Sequence, residues 1–517
     1  MKLPNEPDSP VPPLPTKTAN TDLKMILGAL TALVIVFHVG SAWRGHGQFR
    51  DIHLGTALHY AQTKVSLVDT VIVGFNATGT PTIQELPVWQ MAAGLAFKVL
   101  GPWWGWANVV SLALFLPCLV PLFHVARQFL DERRAWWALI FFLAEPLVFL
   151  NAGTASTDGF SLAITIWFLA CGVELLQTPD GKWLLLAAVC GSLAAVSKLP
   201  FFMAAGLALF FLALGSPGFN FKRLIFLTAA GGMAGIVFLA WTHYTDAQQA
   251  GALFPLVDLR LTKGTNMLFW YFGDLHYRLS AGNWIKGGWR SLTALLGSFA
   301  LLGLVLLALT RKNGSRAARS LLAGAVVTTL IFTHLVLHHW HYYLMFAPAV
   351  ALLCAEGLGV LEMKWAPDGV RGTFSFFVAG LIGLSLLQGL MGMHSLTYDP
   401  YPAKMAELIR QHTTPADKLV VVGGGWGGEL LFRSDRAGLS TWDALVFDRP
   451  ENLARLKSLG YDKLVLVSES PFHNAIQVVN PGQTETAREM AGTWLTPLTK
   501  TWPVDYESGD LSIREIP

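Results

Sequence analysis

Eleven apolar runs constrain this chain more than any other feature of its sequence. They lie at about 23–42, 106–126, 135–151, 159–177, 183–197, 201–217, 224–243, 291–310, 320–339, 343–361 and 373–394. A helix needs about 20 apolar residues to cross roughly 30 Å of hydrocarbon, so most of these runs are long enough to span. The pattern predicts an all-α polytopic membrane protein. The runs at 183–197 and 201–217 are short for a full crossing, which implies tilt or different boundaries. Composition agrees: of 517 residues 53% are hydrophobic and 14% charged, with mean hydropathy +0.46. Thirty-seven Lys and Arg against 34 Asp and Glu give a formal +3, too balanced for a nucleic-acid binder. Cys118, Cys171, Cys190 and Cys354 all fall inside apolar runs and read as small buried hydrophobes.

Positive charge sets the orientation. With the amino terminus inside, the short inner loops carry twelve Lys and Arg, whereas the short outer turns carry only Lys198. Residues 1–22 form a Pro-rich cytoplasmic tail expected to be disordered. A membrane domain then covers 23–394, with long outer loops at 43–105 and 244–290. In the first of these, Val88–Gly101 reads as an apolar helix lying at the interface. Beyond 395 the composition changes. Apolar strands at 418–424 and 462–470 around a helical stretch near 450–459 predict a small extracytoplasmic α/β domain over 395–517. The glycine-rich turn VVVGGGWGGE (420–429) reads as a structural turn, because its spacing departs from GxGxxG.

Ionisable groups near membrane depth cost several kcal/mol unless paired or wet, so each one on the outer side is a functional candidate. These are Asp51, Glu85, Asp158 and Lys198, together with Lys263, Asp274, His276 and Arg278 in the second long loop and the HHWHYY cluster at 338–343. Bland readings stand beside them. Asp158 also reads as a helix N-cap, Arg278 as a solvated face, and the His/Tyr cluster as an aromatic belt. Lys198 is harder to dismiss, since a lone cation in an outer turn runs against the positive-inside bias.

In order along 23–360, five segments resemble the motifs of the GT-C glycosyltransferases that use polyprenyl-phosphate sugars, the group that includes protein O-mannosyltransferases and lipid A aminoarabinose transferases. They are RDIHLGTALHYA, TIQELPVWQMAAGLAFKVLG, STDGFSLAITIWFLA, AAVSKLPFFMAAGLAL and HYYLMFAPAVALLCAEGL. His341 stands where many members carry Arg. LLFRSDRAGLST resembles part of the outer soluble domain of bacterial members.

The resemblance implies an inverting transferase in the inner membrane that moves one sugar from a polyprenyl-phosphate donor. The acceptor would be a hydroxyl of lipid A, another glycan or lipid, or a protein on the periplasmic side. It implies Asp51 as the base, Glu85 as an orienting carboxylate, and Asp158 as support for Asp51 or the donor. Lys198, Arg278, His341, Tyr342 and Tyr343 would face the donor phosphate. A divalent cation (Mg, Mn or Zn) bridging Asp51 and Asp158 is left open by the carboxylate chemistry. Two competing classes are a multi-spanning lipid or solute transporter and an O-antigen ligase or polymerase. The first lacks support because no paired repeat is visible and the candidate charges gather at one face.

Overall fold

The computed structural model describes residues 17–43, 51–68, 74–75, 85–216, 220–249, 265–311, 314–365, 371–392, 401–422, 429–441, 450–467, 499–508 and 511–517. Helix α1 (Lys17–Trp43) is followed by α2 (Asp51–Gln62) and α3 (Val88–Leu100) of the first outer loop. The bundle continues with α4 (Trp104–Phe115), α5 (Leu119–Phe129), α6 (Glu132–Ala144), α7 (Pro146–Ala152), α8 (Thr157–Gln177), α9 (Gly181–Ser197), α10 (Leu199–Leu214) and α11 (Phe221–Gln249). Three short helices, α12 (Thr265–Phe272), α13 (Leu275–Leu279) and α14 (Ala281–Ser291), lead to α15 (Phe299–Thr310), α16 (Arg316–Ile331), α17 (Thr333–His338), α18 (Ala347–Trp365) and α19 (Arg371–Gly392).

Side chains explain many of these boundaries. Asp131 caps α6 and Asp180 caps α9, each accepting an N–H of the first turn. Pro146 lacks an N–H, and the chain bends by 71° between α6 and α7 at that point. Helices α8 and α18 are buried along most of their length, whereas α1, α11 and α19 expose residues such as Val36, Ile236 and Phe377. In a soluble protein such an apolar belt would be a liability; around a bundle of this hydropathy it is the lipid-facing wall.

Among the described residues, six helices are long and apolar enough to cross a membrane, and two bent pairs, 132–152 and 281–310, bring the number to eight. The eleven crossings expected from the sequence are therefore not established. The difference lies in α9, α10 and α16, of 17, 16 and 16 residues. At 1.5 Å per residue these reach about 25 Å, short of the hydrocarbon thickness. Helix α1 also starts at Lys17, so residues 17–22 are helical rather than part of a tail.

Among the described residues, six strands form one sheet in the order β1-β3-β2-β4-β6-β5. It comprises β1 (Gly74–Phe75), β2 (Leu419–Val422), β3 (Gly438–Thr441), β4 (Lys463–Val467), β5 (Val504–Glu507) and β6 (Leu511–Glu515), with helices α20 (Tyr401–His412), α21 (Glu429–Ser434) and α22 (Pro450–Ser458). The strands expected at 418–424 and 462–470 are β2 and β4, paired in parallel. Strand β1 comes from the first outer loop and pairs antiparallel with β3, Gly74 opposite Leu439. One apolar cluster joins Leu54, Ala57 and Leu58 of α2 to Trp89 and Phe97 of α3 and to Met405, Leu431 and Ile513 of the sheet domain. The first loop is thus packed between the bundle and the sheet domain. The glycine turn at 423–428 lies outside the described residues.

Helices α2 and α3 approach closely because Gly94 has no side chain. A Cβ there would lie 2.7 Å from the Ala57 carbonyl oxygen and 2.7 Å from Tyr60 Cβ, both on α2. Replacing Gly94 with Val should push α2 outward at an overpacking cost of about 1–3 kcal/mol. A lowered thermal unfolding midpoint in detergent checks this; an unchanged midpoint would refute the tight α2–α3 seam.

Candidate functional site

Lys198 stands at a break made by Pro200. Helix α9 ends at Ser197, Lys198 is extended (φ −154°, ψ 98°), and α10 begins at Leu199 with the proline in its first turn. Pro200 has no N–H to give the Val196 carbonyl and its ring would clash with that carbonyl in a continuous helix, so the helix breaks ahead of it. The Lys198 side chain is only 6% exposed, and its ammonium lies 2.7 Å from Glu85 Oε1 and 3.1 Å from Asp158 Oδ1. The Tyr342 ring centroid is 5.1 Å from the same nitrogen, within cation–π range.

Each carboxylate is delivered by its own backbone device. The Leu86 N–H bonds to the Val196 carbonyl at 2.9 Å, which ties the segment carrying Glu85 to the end of α9. Asp158 lies in the first turn of α8, whose N-cap is Ser156. The cap reading of Asp158 therefore gives way to an ion pair: the Ser156 side chain does the capping, and the Asp158 carboxylate turns to Lys198. Thr157 donates its hydroxyl to Glu85 Oε2 at 2.6 Å. His53 of α2 brings Nε2 to 4.0 Å from Glu85 Oε2 and 3.4 Å from Thr157 Oγ1, while its Nδ1 lies 2.8 Å from Gln90 Nε2. Beneath this layer the Trp89 indole donates to Ser111 Oγ, which donates to the Thr154 carbonyl at 2.7 Å.

Asp51 opens α2, two residues ahead of His53; its carboxylate lies outside the described side chains. Glu85, Asp158 and Lys198 meet at one end of the bundle, and the backbone places Asp51 two residues before His53 on α2. Tyr342 joins them, and His341 packs its ring 4.4 Å from that of Tyr342. The other expected phosphate ligands are elsewhere. Arg278 donates to the Leu330 carbonyl at the end of α16, at 2.6 Å. The Tyr343 hydroxyl is beside Gly287, and Ser291 and Arg290 act on it. Asp274 caps α13 by accepting the Tyr277 N–H at 2.7 Å, and His276 is exposed on that helix. Lys263 lies outside the described residues.

Four site residues carry no sequence signal that singled them out: His53, Gln90, Thr157 and Tyr271. Burial pushes the Tyr271 phenol well above its ordinary range, with Tyr342 and Glu85 adding to the shift, so it remains a neutral donor next to the cluster. Only its aromatic neighbours in MLFWYF hinted at burial. As for a divalent cation, Asp158 is engaged by Lys198 and Ser156, and no three His, Cys, Asp or Glu side chains converge as ligands among the described residues. The Asp51 carboxylate of the bridge that the sequence leaves open lies outside the described side chains.

No family model and no curated protein matches this sequence. Solved structures do match in fold. The chain aligns with ArnT from Cupriavidus metallidurans bound to undecaprenyl phosphate at a TM-score of 0.61 and 14% identity, over 96% of this chain and 98% of that one. It aligns with the Archaeoglobus fulgidus oligosaccharyltransferase in its apo form at 0.52 and 11%, over 86% and 70%. The likeness to both is one of fold.

Replacing Lys198 with Met strands the buried Asp158 carboxylate beside the like-charged, part-exposed Glu85, at a cost of about 3–5 kcal/mol. Unfolding in detergent should show a clear loss of stability that a second substitution, Asp158→Asn, partly restores. An additive double variant would mean that the two residues do not interact.

Proposed function

We propose that the protein is an inverting glycosyltransferase that moves a single sugar from a polyprenyl-phosphate donor to a hydroxyl on the periplasmic side of the inner membrane. The observation that carries this reading is the buried Lys198 ion-paired to Glu85 and Asp158, in a bundle with the GT-C fold. The undecaprenyl phosphate bound to the ArnT neighbour supports the class of donor. A donor with a long isoprenoid tail suits a chain whose outer walls are lipid-facing, because the lipid and the reacting phosphate meet the enzyme at the same interface.

The reaction runs in one displacement. The acceptor oxygen attacks the anomeric carbon while the bond from that carbon to the phosphate oxygen breaks, its electron pair staying on polyprenyl phosphate. The hydroxyl proton passes to Asp51. A positioned base of this kind contributes roughly 10²–10⁴ in rate. Lys198 serves two purposes. At rest it holds both carboxylates; as the bond breaks, its charge stabilises the departing phosphate more than the bound donor, which lowers the barrier. Glu85, about a quarter exposed where Lys198 and Asp158 are buried, is the carboxylate open to sugar hydroxyls. Asp158 orients Lys198, and Tyr342 covers the ammonium. The amino terminus lies in the cytoplasm and the sheet domain in the periplasm, where it backs the first loop and helps present the acceptor.

Purified protein with polyprenyl-phosphate sugars and candidate lipid A, glycan, lipid and peptide acceptors, followed by mass spectrometry, tests the reading. Transfer of one sugar residue is expected. Asp51→Asn should reduce kcat by at least 10² with donor binding retained. Full turnover in that variant would remove Asp51 as the base, and no transfer from any polyprenyl-phosphate sugar would end the proposal.

A further inference from the structure

Gln90 and His53 lie behind the carboxylates, and their hydrogen bonds have a direction. Gln90 is fully buried on α3, and His53 is 8% exposed on α2. An amide nitrogen only donates, so the Gln90 nitrogen 2.8 Å from His53 Nδ1 makes that ring atom the acceptor. An imidazole that accepts at Nδ1 carries its proton on Nε2. That N–H faces the Thr157 oxygen at 3.4 Å, and Thr157 directs its own proton to Glu85 Oε2 at 2.6 Å. Lys198 donates to the other carboxylate oxygen at 2.7 Å. Donors therefore run one way, from Gln90 through His53 and Thr157, and end on Glu85. The carboxylate fixes the far end: Thr157 gives its one proton to Glu85 Oε2, which leaves its oxygen to accept from His53 Nε2–H and leaves His53 Nδ1 to accept from Gln90.

We propose that Gln90 and His53 are positioning residues: together they fix the direction of this chain, and so decide which lone pairs of Glu85 are left for hydroxyls of the donor sugar. The proposal rests on the reading of Glu85 as a sugar-facing carboxylate. Its consequence is selectivity for the sugar rather than for the lipid, since the chain ends on the exposed member of the cluster.

Two readouts on the full-length protein test it. The first needs no substrate. Nitrogen spectra of the labelled imidazoles, with His53 assigned by difference against His53→Gln, should show the Nε2–H tautomer in the wild type and a mixture in Gln90→Leu. An Nδ1–H tautomer in the wild type, or no change in Gln90→Leu, would overturn the directional chain. The second is steady-state transfer. His53→Ala, His53→Asn and Gln90→Leu should each raise the donor KM about tenfold, with kcat within about threefold, the scale of one lost hydrogen bond. His53→Gln, whose amide nitrogen reaches the Nε2 position, should recover most of that loss, whereas His53→Asn should not. Equal KM values across the series would overturn the positioning role. If the wild type transfers no sugar at all, the function reading falls, while the tautomer result still decides the Gln90–His53 link.

Discussion

One buried ammonium between two carboxylates organises the outer end of this bundle. Lys198 is fixed by a proline-imposed break, Glu85 is carried in from a long loop, and Asp158 starts another helix; their mutual charge and the Leu86–Val196 backbone bond hold the three segments together. Each charge alone would be prohibitively costly where it lies, so the three stabilise one another or none is tolerated. Thr157 and Tyr342 complete the shell. The catalytic proposal uses the same economy: an interaction needed for the fold is placed where a leaving phosphate would next require it.

The bundle supplies this site by interruption. Helices α6, α9 and α16 stop before crossing completely and are followed by α7, α10 and α17, with Pro146 and Pro200 at two of the breaks. Broken helices release polar backbone and admit polar side chains at depths where an unbroken apolar helix offers neither. The burial of α8 and α18 gives those interruptions a rigid centre to lean on.

Much of this was legible in the sequence, for a definite reason. Asp158 and Lys198 stand out because a charge beside an apolar run is costly, and Glu85 because it sits next to the interfacial helix. His53, Gln90 and Thr157 are as buried as those charges, yet neutral polar residues in a polar loop leave no trace in hydropathy. Tyr342 and Tyr343 show another limit. They are neighbours in the chain, but successive residues of a tight helical turn point in different directions, so only Tyr342 reaches Lys198. The count of crossings is not established at α9, α10 and α16, where apolarity is clear but length is not. Strand β1 was invisible because two residues, Gly74 and Phe75, carry no periodicity; a partner more than 350 residues away makes them a strand.

That pairing orders events in the life of the chain. The loop bearing Gly74 and Phe75 leaves the ribosome long before Gly438 and Leu439 exist, so the outer edge of the first loop stays unfinished until nearly all the helices have been inserted. The last-made domain then zips onto the first-made loop. A half-synthesised protein would thus hold its charged cluster without the backing of the sheet domain, and assembly of the membrane part and maturation of its outer rim become separate steps.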